Sequence, residues 1–581
     1  MCGIVGYIGI REATPILIEG LKKLEYRGYD SFGIATLNTC IECDKHQGKI
    51  SDSSILLSDL KGTIGIGHTR WATHGIPNAI NAHPHMDCHN TIAIIHNGII
   101  ENYAELKEQL IARGHTFRSE TDTEVIVHLI EEEYAVERNI LLAVQKTVAC
   151  LTGTYALLVI ANGEDRIIAA RYASPLVIGI GDHEFFAASD MMPILEHTNR
   201  ILYLEDGDIA SISRTGVEIF NNNELIKRPV EIIDWLQEIP KKGGFDYYMI
   251  KEIYEEPQVF YNSVKSITAK TFPEALRNSE SISVIACGSS YHAGFIFKYL
   301  MEDFCGIPVR LDFASEFKYF PSPTKDFVIG ISQSGETADT LYALKQARMH
   351  TCTTLAITNV MGSSISRSTD FTIFMCAEPE ISVAATKSVI AQLAILMQII
   401  NCMCDGKFED VLLEGHRALE EVLLMDISEA IVLCKNAQNI MYLGRGPFYP
   451  VVLEGALKMK EISYIHAEGF PAGELKHGSF ALLSPETPAI AICMPGDTYN
   501  VMVSNIKEMK ARGAPVIVLG EEGDTDLPHI ADIFIPLPQT HVFIQVLTTL
   551  VVLQLLAYYT AVHLGRDVDK PRNLAKSVTV E

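Results

Sequence analysis

The chain has 581 residues, 48% of them hydrophobic and 20% charged, which indicates a folded globular protein of three or four domains. Its formal net charge of −25 argues against a nucleic-acid partner, and it means that an anionic substrate must be held by local donors. The thirteen cysteines are scattered and odd in number, which favours reduced thiols in the cytoplasm over a disulfide framework.

The chain starts with an apolar run that has no basic region before it, so we expect no signal peptide. Residues 542–564 are apolar over a length that could span a membrane. Their glutamines and threonines, and the lack of basic residues before them, favour a buried helix of a large α/β domain. We therefore predict a cytoplasmic protein with no membrane partner.

Cys2 is the first candidate catalytic residue. Removal of Met1 would leave a thiol and a free α-amine on the same residue. The amine has an ordinary pKa of about 7.7–8.0, so it can accept the proton of the thiol and activate it as a nucleophile. The alternative is that Cys2 is only small enough to permit methionine removal.

Residues 1–238 contain short β-branched runs separated by glycine turns, and two amphipathic helices are predicted at 16–24 and 122–134. This mixture predicts an α+β sandwich in which helices and sheets form layers. The predicted strands lie at 63–67, 91–95, 155–160, 167–170 and 175–180.

Three polar motifs in this part are candidate binding or catalytic sites. Arg70 could bind a carboxylate through two hydrogen bonds and Trp71 could close over a small substrate, unless they are a surface arginine and a packed tryptophan. Asn97 and Gly98 offer a side-chain amide beside a glycine N–H, as an oxyanion hole requires, although Asn-Gly is also common in tight turns. Asp122 either caps a helix or binds a substrate ammonium group.

His83, His85, Cys88 and His89 are close in sequence but match no structural zinc pattern, because no second pair of ligands follows them. We therefore predict no metal site in the chain, and no cofactor.

A turn-rich segment at 239–248 is predicted to be an interdomain linker. After it, strand, turn and helix alternate, which predicts doubly wound parallel sheets. Two matched strand–turn pairs recur in the same order about 160 residues apart, roughly the size of one domain, and indicate a duplication. The pairs are 283–286 with 440–443, which lead into CGSS and GRG, and 327–331 with 489–493, which lead into SQSGET and PGDT.

The SQSGET turn at 332–337 combines hydroxyls, an amide and the N–H groups of a helix N-terminus, which is typical of a phosphate-binding turn. A simple helix cap is the alternative, and no Walker lysine follows the glycine. The CGSS turn at 287–290 also follows a strand, at the edge where open α/β sheets bind ligands.

Two lysines complete the candidates. Lys458 lies between Glu454 and Glu461 on one helical face at a spacing of i, i+4 and i+7, which exposed ion pairing would explain equally well. Lys576 lies in a largely uncharged C-terminal segment, where it could form a Schiff base with a ketose, although a mobile polar tail is the ordinary expectation.

Taken together, these motifs resemble the glutamine–fructose-6-phosphate aminotransferases (isomerising), the glucosamine-6-phosphate synthases, along essentially the whole chain. The start MCGIVGYIG, with YRGYDS, TRWATHG, HNG and SETDTE, is similar to their class II glutamine amidotransferase domain, an N-terminal-nucleophile hydrolase fold. CGSS, SQSGET, ALKMKEISYIHAE, GELKHG and the tail DVDKPRNLAKSVTVE are similar to their paired sugar-isomerase domains.

The resemblance implies roles for individual residues. Cys2 would release ammonia from glutamine, Asn97 and Gly98 would form the oxyanion hole, and Lys576 would form an imine with fructose 6-phosphate. Glu461 would move a proton between C1 and C2 of the sugar with help from Lys458, and His477 of a neighbouring subunit would help to open the sugar ring. The implied binding residues are Arg70, Trp71, Thr73, His74 and Asp122 for glutamine, and Ser289, Ser290, Ser332, Gln333, Ser334 and Thr337 for the sugar phosphate.

The resemblance also implies the domain limits and the partners. The amidotransferase domain would cover 1–238, the two isomerase domains 249–425 and 426–566, and an active-site tail 567–581. The partners would be L-glutamine and fructose 6-phosphate, in a homodimer with shared active sites. Phe32 and Ser479 depart from the family pattern, where a small residue and a proline are usual. Alternatives are a related isomerase or deglycase fusion, or a catalytically silent sugar-phosphate sensor.

Overall fold

The computed structural model describes residues 2–52, 59–233, 242–268, 271–317, 319 and 327–579. They form two compact units, the first taking residues 1–238 and 577–581 and the second residues 239–576, each over its described part. Part of the predicted linker, residues 239–241, lies outside the described residues.

The described part of the first unit contains fifteen strands and four α-helices. The strands are β1 (Gly3–Ile8), β2 (Ser31–Leu37), β3 (Ile41–Gln47), β4 (Ile64–Arg70), β5 (His85–Met86), β6 (Ile92–Ile100), β7 (Gly153–Ala161), β8 (Arg166–Tyr172), β9 (Val177–Ile180), β10 (Phe185–Ala188), β11 (Arg200–Tyr203), β12 (Ile209–Ser213), β13 (Gly216–Asn221), β14 (Glu224–Ile226) and β15 (Val230–Ile232). The helices are α1 (Ala13–Lys23), α2 (Tyr103–Ala112), α3 (Glu124–Glu137) and α4 (Ile140–Val148).

These strands form two antiparallel sheets that pack face to face between layers of helices. The sheet orders are β15-β11-β9-β10-β1-β4-β2-β3 and β14-β13-β12-β8-β7-β6-β5. Because side chains alternate along a strand, β1 places Ile4 in a core shared by both sheets and Val5 in a core shared with α1. A third core joins the second sheet to α2, α3 and α4. The layers are therefore α/β/β/α, which confirms the predicted α+β sandwich.

The five predicted strands correspond to β4, β6, β7, β8 and β9, and the two predicted helices to α1 and α3. The prediction of only two helices in this part is wrong, because α2 and α4 also form. Helix α2 buries only Leu106 and Leu110, so its apolar periodicity is weak. Helix α4 has just nine residues, too few for a long periodic pattern.

The second unit contains the remaining elements. Its helices are α5 (Tyr248–Tyr254), α6 (Glu256–Ser266), α7 (Glu274–Arg277), α8 (Gly288–Cys305), α9 (Ala314–Phe317), α10 (Ala338–Met349), α11 (Ser364–Ser368), α12 (Lys387–Met403), α13 (Glu409–Val422), α14 (Ser428–Lys435), α15 (Phe448–Ser463), α16 (Tyr499–Lys510), α17 (Leu527–Ile530) and α18 (Val542–His563). Its strands are β16 (Ile282–Ala286), β17 (Val309–Phe313), β18 (Phe327–Ile331), β19 (Thr354–Thr358), β20 (Phe371–Phe374), β21 (Asn439–Gly444), β22 (His466–Pro471), β23 (Ala489–Cys493), β24 (Val516–Glu521) and β25 (Ile533–Leu537).

The two sheets of this unit are parallel and have the same topology. Their orders are β17-β16-β18-β19-β20 and β22-β21-β23-β24-β25, so each strand of the first has a counterpart in the second. This identity of order confirms the predicted duplication and the doubly wound architecture. We call the two halves the first and the second isomerase copy.

Helix α18 is the one helix of the described residues that is long and apolar enough to cross a membrane. Within its most apolar window, 89% of the residues are buried inside the protein. It packs against α13, α14 and α15, in a core cluster that extends through both copies. The prediction of a buried core helix is therefore confirmed.

Candidate active sites

Cys2 lies just before β1 and beside the loop that leaves the neighbouring strand β4. Its Sγ accepts a hydrogen bond from the backbone N–H of Trp71 at 3.2 Å and lies 3.6 Å from the Trp71 carbonyl oxygen. The register of β1 with β4 pairs Gly3 with Thr69, which fixes this approach. Burial raises the pKa of the Cys2 thiol, so at neutral pH the thiol needs a base to become a nucleophile.

Asn97 and Gly98 lie inside β6, next to Cys2. The Asn97 side-chain N–H donates to the Cys2 carbonyl oxygen at 2.9 Å, and His68 Nε2 donates to Asn97 Oδ1 at 3.1 Å. Gly98 has φ of +139°, and a Cβ there would lie 2.0 Å from the Thr154 carbonyl oxygen, so only glycine fits. The tight-turn interpretation is wrong, because both residues pair with β7 within a continuous strand.

The loop after β4 carries the other predicted glutamine-binding residues. The Arg70 guanidinium is buried and donates to the carbonyl oxygens of His74 and Gly75, the latter at 3.1 Å. Trp71 packs edge-on against Tyr29 with ring centroids 5.6 Å apart. Thr73, which lies between Trp71 and His74 in this loop, is exposed. Arg70 is therefore not a surface arginine, and it holds the loop in place.

Asp122 connects this loop to the end of β6. Its Oδ2 accepts from the Ile100 backbone N–H at 2.8 Å, and its Oδ1 lies 3.9 Å from His74 Nδ1. The N-cap of α3 is Thr123, and no side chain caps that helix end. The helix-cap interpretation of Asp122 is therefore wrong. Cys2 therefore contacts Trp71 and Asn97 directly, while Asp122 lies between Ile100 and His74.

Four buried histidines lie behind Asn97, and the sequence analysis missed them as a group. His68 and His83 stack with centroids 4.1 Å apart, His83 Nδ1 accepts from the His96 backbone N–H at 3.2 Å, and the His85 ring meets His83 edge-on. Burial lowers the pKa of His68 to about 3 and holds those of His83 and His85 well below their usual range. Neutral rings therefore support the Asn97 amide. His68 lies on β4 of the first sheet, whereas His85 and His96 lie on β5 and β6 of the second, so only the packing of the two sheets brings the rings together.

The proposed phosphate-binding turn lies at the carboxyl end of β18. Since Ala286 of β16 is in register with Ile331 of β18, the CGSS and SQSGET turns leave neighbouring strands at one edge of the sheet. Ser332 Oγ accepts from the Gly335 backbone N–H at 3.1 Å and lies 2.9 Å from Thr337 Oγ1. Thr337 is the N-cap of α10, but its side chain makes no capping hydrogen bond, so the simple helix-cap interpretation is wrong.

The CGSS turn leads from this edge to the second copy. Ser289 and Ser290 lie in the first turn of α8. On the same helix, His292 Nδ1 lies 2.7 Å from the Glu454 carboxylate on α15. Burial alone would raise the pKa of Glu454, but Lys458 and His292 hold it at about 2.

Lys458 lies fully buried between two carboxylates of its own helix. Its Nζ lies 2.5 Å from Glu461 and 3.4 Å from Glu454. Burial acts to lower the pKa of Lys458, but the two carboxylates raise it above its usual range. The interpretation of this helical face as exposed ion pairs is therefore wrong.

Lys576 is also buried and paired, so the interpretation of its segment as a mobile tail is wrong. Its ammonium group donates to Glu380, and the side chains are 5% and 0% exposed. Glu380 in turn accepts from Thr386 and Ser388, including the Ser388 hydroxyl at 2.8 Å. The Glu380 charge also acts on Lys458, so both lysines belong to one charged cluster. Glu380 has no motif around it, and the sequence analysis missed it.

Glu252 is a second missed carboxylate beside this cluster. Burial and the negative charge of Glu380 raise the pKa of Glu252 to about 8. The backbone N–H of Ile381 donates to it at 2.5 Å. At neutral pH the protonated form of Glu252 is therefore favoured beside the charged pairs of the cluster.

Three further positions lie outside these contacts. His477 ends a short 3₁₀ helix, Ala472–His477, and is exposed, so within one chain it is not part of the buried cluster. Ser479 begins the next such helix, Ser479–Leu482. Phe32 is buried in β2, where it stacks on His46 with centroids 5.3 Å apart.

Comparisons with known proteins agree with this arrangement. The family described as "Glutamine amidotransferase domain" matches residues 68–196, and the family described as "SIS domain" matches residues 275–402 and 433–564. Relatives named glutamine–fructose-6-phosphate aminotransferase [isomerizing] are 45% identical in Chlorobaculum tepidum and 46% identical in Thermotoga maritima, each over 100% of both chains.

Two solved structures resemble the second unit. The C-terminal domain of glucosamine-fructose-6-phosphate aminotransferase from Francisella tularensis is 33% identical, with a TM-score of 0.54 over 57% of this chain and 100% of that one. Tagatose-6-phosphate ketose/aldose isomerase from Escherichia coli is 21% identical, with a TM-score of 0.51 over 57% of this chain and 98% of that one. The latter shares the fold.

Proposed function

Because this chain belongs to the glutamine–fructose-6-phosphate aminotransferase family, we propose that it makes glucosamine 6-phosphate and glutamate from glutamine and fructose 6-phosphate. One observation carries the proposal. In its first unit the chain holds a half-buried thiol beside the Trp71 N–H and next to Asn97. In its second unit it holds buried, paired lysines and a hydroxyl-rich turn at the carboxyl edge of a parallel sheet.

In the first unit, Cys2 is the proposed nucleophile. Its α-amine takes the thiol proton, and Sγ attacks the amide carbon of glutamine. The oxyanion that forms accepts hydrogen bonds from Asn97 Nδ2 and the Gly98 N–H. Ammonia leaves with a proton, and water then hydrolyses the thioester to glutamate. Arg70 and Asp122 are proposed to bind the α-carboxylate and α-ammonium groups of glutamine, in a pocket that Trp71, Thr73 and His74 line.

In the second unit, the SQSGET turn and Ser289 and Ser290 are proposed to hold the sugar phosphate through hydroxyls and helix N-terminal N–H groups. His477, from a neighbouring subunit, helps to open the sugar ring. Lys576 must then lose a proton before it attacks C2 of the open ketose, and water leaves as the imine forms. Glu380 holds the amine in position until then.

Ammonia displaces Lys576 from C2, which leaves an imine of the sugar. Glu461 then removes a proton from C1 and returns it to C2, which converts the product into the 2-amino aldose. Lys458 lies 2.5 Å from Glu461 and assists by holding that carboxylate in position. We further propose the domain limits given by the sequence, a homodimer in which His477 completes the partner site, and a cytoplasmic location.

One coupled assay tests the proposal. Purified chain is given glutamine and fructose 6-phosphate, and glucosamine 6-phosphate and glutamate are quantified. Equal formation of the two products is expected. A silent sugar-phosphate sensor would bind fructose 6-phosphate without turnover, and a deglycase or a simple isomerase would convert the sugar without consuming glutamine.

A further inference from the structure

A cluster of metal-ligating side chains lies in the first unit, away from Cys2. We propose that it binds a structural zinc ion. One potential ligand atom from each of four residues lies within 4.8 Å of all the others, and the four are Cys88, His115, His128 and Glu131. The sequence analysis grouped Cys88 with His83, His85 and His89 and found no zinc pattern, because the other ligands lie 27 to 43 residues further along the chain.

The distances within the cluster fit tetrahedral zinc. Cys88 Sγ lies 3.6 Å from Nδ1 of His115 and 3.6 Å from Nδ1 of His128. Both of these nitrogens lie 3.1 Å from Glu131 Oε2. Zinc bonds of about 2.3 Å to sulfur and 2.0–2.1 Å to nitrogen or oxygen place tetrahedral S···N pairs about 3.6 Å apart and N···O pairs about 3.3 Å apart.

The outer nitrogens of the two rings support the same conclusion. Nε2 of His115 lies 3.1 Å from Glu132, and Nε2 of His128 lies 3.7 Å from Glu124. A metal-bound imidazole commonly directs its other N–H to a carboxylate in this way. With zinc on Nδ1, the Nε2–H of His115 donates to Glu132, and that of His128 faces the Glu124 carboxylate.

The ligand set also decides the ion and its role. A thiolate, two neutral imidazoles and a carboxylate balance the charge of a divalent cation, and the soft sulfur with nitrogen donors favours zinc over magnesium or calcium. Four protein ligands close a tetrahedral site and leave no position for substrate, so the ion is structural.

The backbone holds the ligands in place. Asp87 fixes the turn between β5 and β6 that carries Cys88, by accepting from the Thr91 N–H at 2.6 Å and the Ile92 N–H at 3.0 Å. His128 and Glu131 are one turn apart on α3. The zinc would therefore link the β5–β6 turn to His115, which precedes Asp122 in the chain, and to His128 and Glu131, which follow it.

Metal content and cobalt substitution test the proposal on the full-length chain. We expect about one zinc per chain after dialysis against metal-free buffer, measured by elemental analysis. We expect Co²⁺ in place of zinc to give a thiolate-to-cobalt charge-transfer band and intense visible bands of tetrahedral geometry. Cys88→Ser should remove the thiolate band. It should weaken zinc binding by more than about tenfold, because loss of a residue that only hydrogen-bonds to a ligand already costs about that much.

Cys150→Ser is the matched control, since Cys150 is a free cysteine in the same unit with an exposed side chain, and it should leave both signals unchanged. If Cys88→Ser fails to fold, His115→Gln replaces it, and the thiolate band should persist with altered visible bands. The absence of stoichiometric metal or of a thiolate band in the wild-type chain would overturn the proposal. So would a band that survives Cys88→Ser and disappears with Cys2→Ala.

Discussion

The two isomerase copies have one topology and different side chains at equivalent places. After its third strand in chain order, the first copy has the SQSGET turn with three hydroxyls, whereas after β23 the second has Pro495-Gly496-Asp497-Thr498, with Asp497 exposed. After its first strand, the first copy has serines in α8, whereas the second has Arg445, which donates to Asn505. An exposed carboxylate repels phosphate, so only the first turn suits an anion.

The second copy contributes a different part of the same site. Its helix α15 supplies Glu454, Lys458 and Glu461, and Glu454 contacts His292 on the equivalent helix of the first copy. The proposed sugar site is therefore asymmetric and draws different residues from two copies of one fold. Sheet order fixes the edge at which ligands can bind, and we propose that the turn residues decide which copy binds them.

The largest expected effect is a selective loss of glutamine hydrolysis, which tests whether the first unit and the two isomerase copies act separately. Cys2→Ala should abolish glutamate release from glutamine, because the nucleophile is lost, while the copies still isomerise the sugar phosphate. Glutamate production and sugar-phosphate isomerisation are measured on the same preparation. Cys40→Ala, at an exposed cysteine of the same unit, is the control and should retain both activities. Loss of both activities in Cys2→Ala would contradict the separate roles.

Within the isomerase pair, Lys576→Arg should have the next largest effect. Arginine keeps the positive charge beside Glu380 but cannot be neutral, so no imine can form. Glucosamine 6-phosphate formation should fall by at least about a thousandfold, or about 4 kcal/mol in the activation barrier. Lys460→Arg, at an exposed lysine of α15, should change the rate little. A Lys576→Arg enzyme with near-normal turnover would exclude a covalent role.

The turn residues test the comparison between the copies directly. Ser334→Ala and Thr337→Ala should each weaken sugar-phosphate binding by about 1–3 kcal/mol, as expected for a lost hydrogen bond to a charged group. Thr498→Ala, at the equivalent N-cap of the second copy, should have no measurable effect. Calorimetric titration with fructose 6-phosphate gives the three affinities. If Thr498→Ala weakened fructose 6-phosphate binding as much as Ser334→Ala and Thr337→Ala, the proposed difference between the copies would be wrong.

The smallest expected effect is a pH dependence of stability in the second unit. The pKa of Glu252 is raised to about 8 in the folded state, so its contribution is fully present below the ordinary carboxyl pKa and is lost as pH rises through about 8. The unfolding temperature of Glu252→Gln should therefore exceed that of the wild type, and this difference should grow as pH rises from 6 to 9. Glu280→Gln, at an exposed carboxyl, should show no such trend. A constant difference for Glu252→Gln would contradict the raised pKa.

Much of the fold could be predicted from sequence, because apolar runs such as those of β7 and β18 are bounded by clear turn residues. The edge rule for parallel sheets also placed the CGSS and SQSGET turns together. Helices α2 and α4 were missed because their apolar faces are small or short.

The partners of the site residues could not be predicted, because they come from distant segments. Glu380 reaches Lys576 across 196 residues, and neither lies in a pattern that names the other. His68 of β4 reaches Asn97 of β6 only because the two sheets pack face to face, and Cys88 meets ligands from a loop and a helix rather than its sequence neighbours. Hydrophobic periodicity predicts helices and strands, whereas the contacts of the site residues depend on pairing between distant segments of the chain.

Borohydride trapping tests the central claim of an imine-forming lysine most directly. The chain is incubated with fructose 6-phosphate and sodium borohydride, and the reduced adduct is located by peptide mapping. The account predicts a secondary amine on Lys576, and none in Lys576→Arg. An adduct on Lys458 or Lys460 would contradict the assignment. No adduct at all, with normal turnover and bound open-chain sugar, would contradict the covalent step itself.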